Sequence, residues 1–318
     1  MSMPSKTHEV QNFAMDSRRW NGFPFRDGDI VIATWAKSGT TWLQHIVGQL
    51  LLGPKPKLRI DLLSPWVEHR IEPRSLMLAR LEAQRHRRFL KTHLPLDALV
   101  FSPRAKYLFI GRDGRDVVRS LYSFHGNHTP LAYRIINEVP GLVGPALVPP
   151  RLDYAQYFLE WLERDGYPWW PFWSHLRSWW AFRTLPNIRL IHFNDLKADM
   201  PAMIASIAEY LEIDASADTC AEVASLCSFE RMKASSSTRY GAMADKLYQG
   251  GMSSFFRKGA IGDGREMLGS ELNARYERRA EKELPDACRA WLATGRQDLV
   301  RDGNGSFAEE RAESIAAS

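Results

Sequence analysis

Residues 37 to 41 read Lys37-Ser38-Gly39-Thr40-Thr41, one amine, one glycine and three hydroxyls in consecutive positions. The apolar run Ile30-Val31-Ile32-Ala33 leads into them, and Leu43, Ile46, Val47 and Leu50 follow at helical spacing. The pattern predicts a strand, a small-residue turn and a helix N-terminus. Such a junction presents unpaired backbone N–H groups and the positive end of the helix dipole, which together accommodate an anion. Lys37 adds a formal charge, and Ser38, Thr40 and Thr41 add donors, so the turn is expected to bind a phosphate or sulfate group. The nucleoside-triphosphate loop places its Lys after the second Gly; here Lys37 precedes Gly39. Trp42 stands just inside the helix, where an indole can stack on a base. An ordinary turn followed by a core Trp reads almost as well at this point.

Four further segments carry groups of the same chemistry. In Lys91-Thr92-His93-Leu94-Pro95, the amine two residues from His93 disfavours the imidazolium and so favours the base form. In Gly111-Arg112-Asp113-Gly114, Arg112 falls at the end of an apolar run, where a guanidinium can grip an anion beside backbone donors. Ser120 lies about two helical turns on, while Arg115 and Arg119 are spaced to pair with carboxylates. Ser228-Phe229-Glu230-Arg231-Met232 places an aromatic and a Met three apart, a spacing that usually means core. Phe255-Phe256-Arg257-Lys258-Gly259 makes a cationic turn where backbone can approach a phosphate closely.

The elements that must hold these groups alternate. Strand-like runs cover Ile30 to Ala33, Lys106 to Ile110 and Ile188 to Phe193, and helical periodicity follows each. That order predicts an α/β fold, a parallel sheet covered on both faces, with ligands at the carboxyl ends of its strands. Two stretches stand apart. Asn127 to Arg151 is apolar and punctuated by Pro and Gly, as in a lid or a substrate-facing loop. Trp161, Trp169, Trp170, Trp173, Trp179 and Trp180 cluster in one region, either as core or as the lining of an apolar pocket.

Composition bounds the rest. The chain has 318 residues, 45% of them hydrophobic, enough for one large domain. We expect residues 1–28 as an N-terminal segment, 29–300 as the domain and 301–318 as a disordered tail. The net charge of +5 suits an anionic ligand, but 37 acidic residues are interspersed among the basic ones, which argues against nucleic acid. Cys220, Cys227 and Cys288 form no C-x-x-C pair, which argues against a disulfide framework and a cysteine zinc site. No apolar run reaches membrane-spanning length and no signal peptide is legible, so a cytoplasmic protein is expected.

Together, the five segments resemble the cytosolic-type sulfotransferases that use 3′-phosphoadenosine 5′-phosphosulfate (PAPS), over about Asp29 to Gly264. The resemblance implies a P-loop-like single domain with a central parallel sheet flanked by helices on both faces. It implies that Lys37 to Thr41 cradle the 5′-phosphosulfate, and that Trp42 and Phe229 sandwich adenine with Met232 beside them. Arg112, Ser120, Arg257, Lys258 and Gly259 would hold the 3′-phosphate, and Phe193, Ser228 and Phe256 complete the cofactor-binding set. His93 would be the general base, with Lys37 and Lys91 assisting. PAPS would be the donor and 3′,5′-bisphosphoadenosine (PAP) the product, with no metal and with a small apolar or aromatic hydroxyl or amine as acceptor. The chain departs from the family at Phe193 (commonly Tyr), Cys227 (commonly Thr) and Gly264 (commonly Trp). It also lacks the family's short dimerisation pattern after Arg265, leaving monomer or homodimer. The competing readings are a P-loop nucleotide kinase, which predicts Mg²⁺ dependence, and a non-catalytic nucleotide-binding protein, which predicts binding without turnover.

Overall fold

The computed structural model describes residues 3–295, and the expected tail at 301–318 lies outside them. Four parallel strands form the sheet: β1 Ile30–Thr34, β2 Phe89–Thr92, β3 Lys106–Gly111 and β4 Ile188–His192, in the order β2-β1-β3-β4. All five β1 residues are buried, as expected of a strand covered on both faces. Alternate residues divide between two cores. Ile30 and Ile32 join Phe89, Leu108, Ile110 and Ile191 on one face, against helices Met200–Leu211 and Ala217–Leu226 and helix α1 (Thr40–Leu52). Val31 and Ala33 join Leu90, Tyr107, Phe109 and Leu190 on the other.

Sequence reading missed β2. It is four residues long and half polar, so it shows no apolar run. Its register sets Phe89 beside Ile30 and Thr92 beside Ala33, which brings His93 to the end of β1. Phe193, expected as the last residue of a strand, instead opens a helix capped by the His192 side chain. The Pro-punctuated stretch contains a helix, Pro130–Asn137, capped by Thr129, before an irregular exposed segment. Within the tryptophan cluster, Trp161, Trp173 and Trp179 are fully buried, and Trp180 is nearly so. Residues 3–28 are not an appendage: Met15 and Trp20 are fully buried in the larger core.

Two glycines are forced by space. Gly39 caps α1 with φ 116°, and a Cβ there would stand 2.9 Å from Ile110 Cδ1 and 3.2 Å from Phe193 Cδ2. A Cβ on Gly264 would stand 2.1 Å from the Arg115 carbonyl oxygen and 2.7 Å from the Asp116 nitrogen. The turn at 262–264 therefore lies directly on the start of helix Gly114–Gly126, where Asp116 accepts from the backbone N–H groups of Gly262 (2.9 Å) and Gly264 (2.8 Å). The Trp common in the resembling family would not fit here. Gly264→Ala must push these backbones apart, and such overpacking typically costs about 1–3 kcal/mol. We expect a lowered urea midpoint; a midpoint equal to that of the parent chain would contradict the close approach.

Candidate active site

The carboxyl ends of the four strands meet at one cavity of about 420 Å³. Lys37 follows β1, His93 follows β2, Arg112 follows β3 and Phe193 follows β4, and all four line it. Every residue expected at the site does so except Ser38, which is buried behind the turn and donates its backbone N–H to Trp35.

His93 is held from two sides. Its Nδ1 lies 2.7 Å from the Thr34 carbonyl oxygen. A carbonyl can only accept, so the proton sits on Nδ1 and Nε2 carries the lone pair. On the main-chain side, the His93 N–H donates to Glu68 Oε1 at 2.6 Å. Burial and the neighbouring Lys91 charge hold the imidazole pKa well below its usual value, against the opposing hydrogen bond to Thr34. At neutral pH His93 is therefore an unprotonated base.

Glu68 is fully buried. Besides His93 it accepts from Trp20 Nε1 (2.8 Å), Thr92 Oγ1 (3.1 Å) and Trp66 Nε1. Burial pushes its pKa up, and the hydrogen bonds from His93 and the two indoles oppose that rise. Trp66 in turn packs edge-on against His93 at 4.8 Å and lies 4.6 Å beneath Lys91 Nζ. Sequence reading missed Glu68, because a single acidic residue between Val67 and His69 carries no spacing signal. It also missed Lys197 and Met200, which line the cavity from beyond β4. Lys197 Nζ donates to the Gly259 carbonyl.

The cations fall into two sets. Lys37 has φ 66° and lays its Nζ over the rings of Phe255 (3.8 Å) and Phe124 (4.2 Å). Desolvation, then the charges of Lys91, Arg112 and Arg257, lower its pKa to about 7. Desolvation lowers Lys91 to about 8, with Glu68 opposing. At the other end, Arg112 donates to the Ala260 carbonyl at 2.7 Å, pairs with Asp116 at 3.6 Å and lies 4.1 Å over the Phe193 ring. Asp263 sits between Arg257 (2.7 Å) and Lys258 (2.9 Å). Arg115 points elsewhere, to Asp113 and Glu277.

Trp42, Phe193, Phe229 and Met232 line the same cavity. Trp42 Nε1 donates to the Cys227 carbonyl at 2.9 Å, and its ring meets Phe193 edge-on at 5.3 Å. Arg112 Nε and Arg257 Nε and Nη1 are buried without a hydrogen-bond partner. Buried donors of this kind call for acceptors, and a phosphate supplies them. The residues thus fit an adenine nucleotide bearing more than one anionic group. Among the described residues, no cluster of three or more His, Cys, Asp or Glu is placed to hold a metal ion.

A family model described as "Sulfotransferase domain" matches residues 27–287. A glycolipid sulfotransferase of Mycobacterium bovis (strain BCG / Pasteur 1173P2) is 31% identical over 89% of this chain and 93% of its own length. Sulfotransferase 1E1 of Homo sapiens is 28% identical over 83% of this chain and 86% of its own. Among solved structures, retinol dehydratase in complex with androsterone and the inactive cofactor PAP superposes with a TM-score of 0.67. It is 23% identical, covering 85% of this chain and 84% of its own, and at that identity it speaks for the fold alone.

The charge crowding has a direct readout. In the free protein the Lys37 amine should titrate near pH 7, far below the ordinary value of 10.5. Carbon-13 NMR of lysine Cε resonances, assigned with Lys37→Ala, would show it. A Lys37 titration at the ordinary value would contradict the burial of its amine and the charge crowding around it.

Proposed function

The chain belongs to the sulfotransferase domain family, and from that premise we propose which residues carry the transfer and what kind of acceptor they serve. The enzyme moves a sulfuryl group from PAPS to an acceptor, releasing PAP. The observation that carries the assignment of roles is that one cavity gathers a neutral imidazole, two sets of cations and several aromatic side chains.

The work of the protein is to position reactants and to neutralise charge, as in phosphoryl transfer. His93 Nε2 takes the proton from the acceptor hydroxyl as its oxygen attacks sulfur. The new O–S bond forms in line with the breaking S–O bond, whose electron pair stays on the departing phosphate. Lys37 and the N–H groups opening α1 meet the charge that develops there. Lys91 faces the transferring group from the His93 side. Trp42, Phe193, Phe229 and Met232 receive adenine, with Ser228 and Phe256 beside them. Arg112, Ser120, Arg257, Lys258 and Gly259 receive the 3′-phosphate. That grip is remote from the reacting sulfur, so its binding energy goes into orientation.

The acceptor is proposed to be an apolar or aromatic hydroxyl compound (an amine would serve the same base). Trp66 and Trp170 support this, since both pack against His93, at 4.8 and 5.6 Å, and Trp169 extends the aromatic wall. A relative named as a glycolipid sulfotransferase is compatible with such an acceptor. A cytoplasmic location belongs to the same reading. The three buried cysteines, none in a disulfide, are consistent with a reducing compartment. No described helix is long and apolar enough to cross a membrane.

Two variants test the assignments. His93→Ala should lower kcat by about 10²–10⁴-fold while PAP binding, read by calorimetry, stays close to that of the parent. A variant retaining more than about a tenth of the rate would remove His93 as the base. Arg257→Ala should weaken PAP binding yet spare adenosine 5′-phosphosulfate, which lacks the 3′-phosphate. Equal weakening of both ligands would place Arg257 elsewhere.

A further inference from the structure

A cation set among cations needs a counter-group, and for Lys37 that group is not a carboxylate. Lys91, Arg112 and Arg257 make up its charge environment. Glu68, Asp116 and Asp263 face the other cations of the site. The Lys37 amine meets two ring faces instead, with Nζ 3.8 Å from the Phe255 centroid and 4.2 Å from that of Phe124. The face of an aromatic ring carries the negative part of its quadrupole. An ammonium above it is attracted, more strongly as water is excluded.

The two rings come from distant parts of the chain, and the fold brings them together. Phe124 lies on helix Gly114–Gly126, one turn after Ser120. Phe255 closes a short helical turn, Met252–Phe255, two residues before Arg257. The rings meet edge to face at 5.7 Å, and Tyr248 packs against both, at 5.9 and 5.7 Å. The segment that carries Tyr248 and Phe255 is fastened to the residues just past the helix. The Thr129 N–H donates to the Leu247 carbonyl at 3.0 Å, and the Gln249 N–H to the Asn127 carbonyl at 2.8 Å. Thr129 Oγ1 donates to the Lys246 carbonyl at 2.8 Å, and Asn127 Nδ2 to Ser254 Oγ at 2.6 Å. His128 packs edge-on against Phe124 at 4.5 Å. Burial first, and the Lys37 charge after it, hold the His128 pKa down, so it stands beside the pair as a neutral ring.

We propose that Phe124 and Phe255 are positioning residues, a two-sided aromatic clamp that holds the Lys37 amine charged and in place before the donor arrives. The clamp opposes the desolvation and the neighbouring cations that push the amine toward neutrality. A ring face favours the ammonium over the free amine, so removing a face lowers the Lys37 titration further. The rings sit on the elements that carry Ser120 and Arg257, so ordering those elements also orders the amine. The contribution of the clamp to rate rests on the role given to Lys37 in the transfer reading above. The clamp itself does not.

The test grades the electrostatics of one ring at nearly constant shape. In the full chain, Phe255 is replaced by 4-fluoro- and by 3,4,5-trifluorophenylalanine, which weaken the negative face stepwise. The Lys37 Cε resonance is followed without nucleotide, so that stacking on a ligand plays no part. It should titrate at progressively lower pH. Trifluorophenylalanine in place of Phe101, which packs on Tyr107 outside the cavity, should leave it unmoved. The pH dependence of kcat/KM for PAPS reports groups of the free enzyme, and its alkaline limb should move to lower pH in the same order. Phe255→Leu should cut kcat/KM by about three- to thirtyfold above the Lys37 midpoint and by less below it, where the amine is charged regardless. Phe255→Tyr, which keeps a ring face, should recover most of that loss. Thermal midpoints equal to the parent's establish that each variant is folded. A Lys37 titration indifferent to fluorination of Phe255 overturns the proposal. Lys37→Ala separates the two readings: if that variant stays active, the role of Lys37 in transfer fails, while the titration still decides the clamp.

Discussion

Gathering Lys37, Lys91, Arg112 and Arg257 around one cavity means holding like charges close together in a partly dry space. The structure depends on how that repulsion is contained. Each cation set has a carboxylate behind it. Glu68 stands behind Lys91 and His93, Asp116 behind Arg112, and Asp263 between Arg257 and Lys258. None of the three neutralises its set completely, and Lys37 is left with no carboxylate of its own in its charge environment. In the proposed assignment, a single anionic nucleotide would relieve both sets at once. Attraction for the donor is thus built in before any particular contact is made.

Those carboxylates also do structural work, which is why the site and the fold cannot be separated. Asp116 accepts from the 262–264 turn while facing Arg112, so the close approach at Gly264 and the placement of the Arg112 guanidinium share one side chain. Glu68 ties the N-terminal Trp20 to the His93 main chain, so residues ahead of the first strand help fix the base. A parallel sheet brings its strand ends to one edge, and register does the rest. Because Thr92 lies beside Ala33, His93 reaches the carbonyl of Thr34.

What was legible in the sequence follows from the range of each signal. The turn at Lys37 to Thr41 announces itself because strand, turn and helix are contiguous. Arg112 is legible for the same reason, and the Arg257-Lys258-Gly259 turn is legible from its adjacent cations and glycine. β2 was not legible, since a four-residue strand ending in Lys-Thr owes its existence to pairing with β1 rather than to its own pattern. Glu68, Lys197 and Met200 were likewise hidden, because their roles come from residues distant in the chain. Ser38 shows the reverse failure: its residue type suits an anion turn, yet the positive φ of Lys37 and Gly39 leaves it facing inward.

The departures at Phe193 and Cys227 illustrate how a side-chain contact can be lost without losing the surface it served. Phe193 carries no hydroxyl, but its ring lies under the Arg112 guanidinium and against Trp42. It thereby joins the aromatic floor to the Arg112 guanidinium through packing. Cys227 offers no hydroxyl either, yet its carbonyl accepts from Trp42 Nε1 and fixes the indole plane. A main-chain acceptor is indifferent to side-chain identity, and a stacking surface is indifferent to a missing hydroxyl. The pocket proposed for adenine therefore rests on groups that tolerate these two substitutions. The charged ends do not share that tolerance, because a guanidinium or an amine has no main-chain substitute.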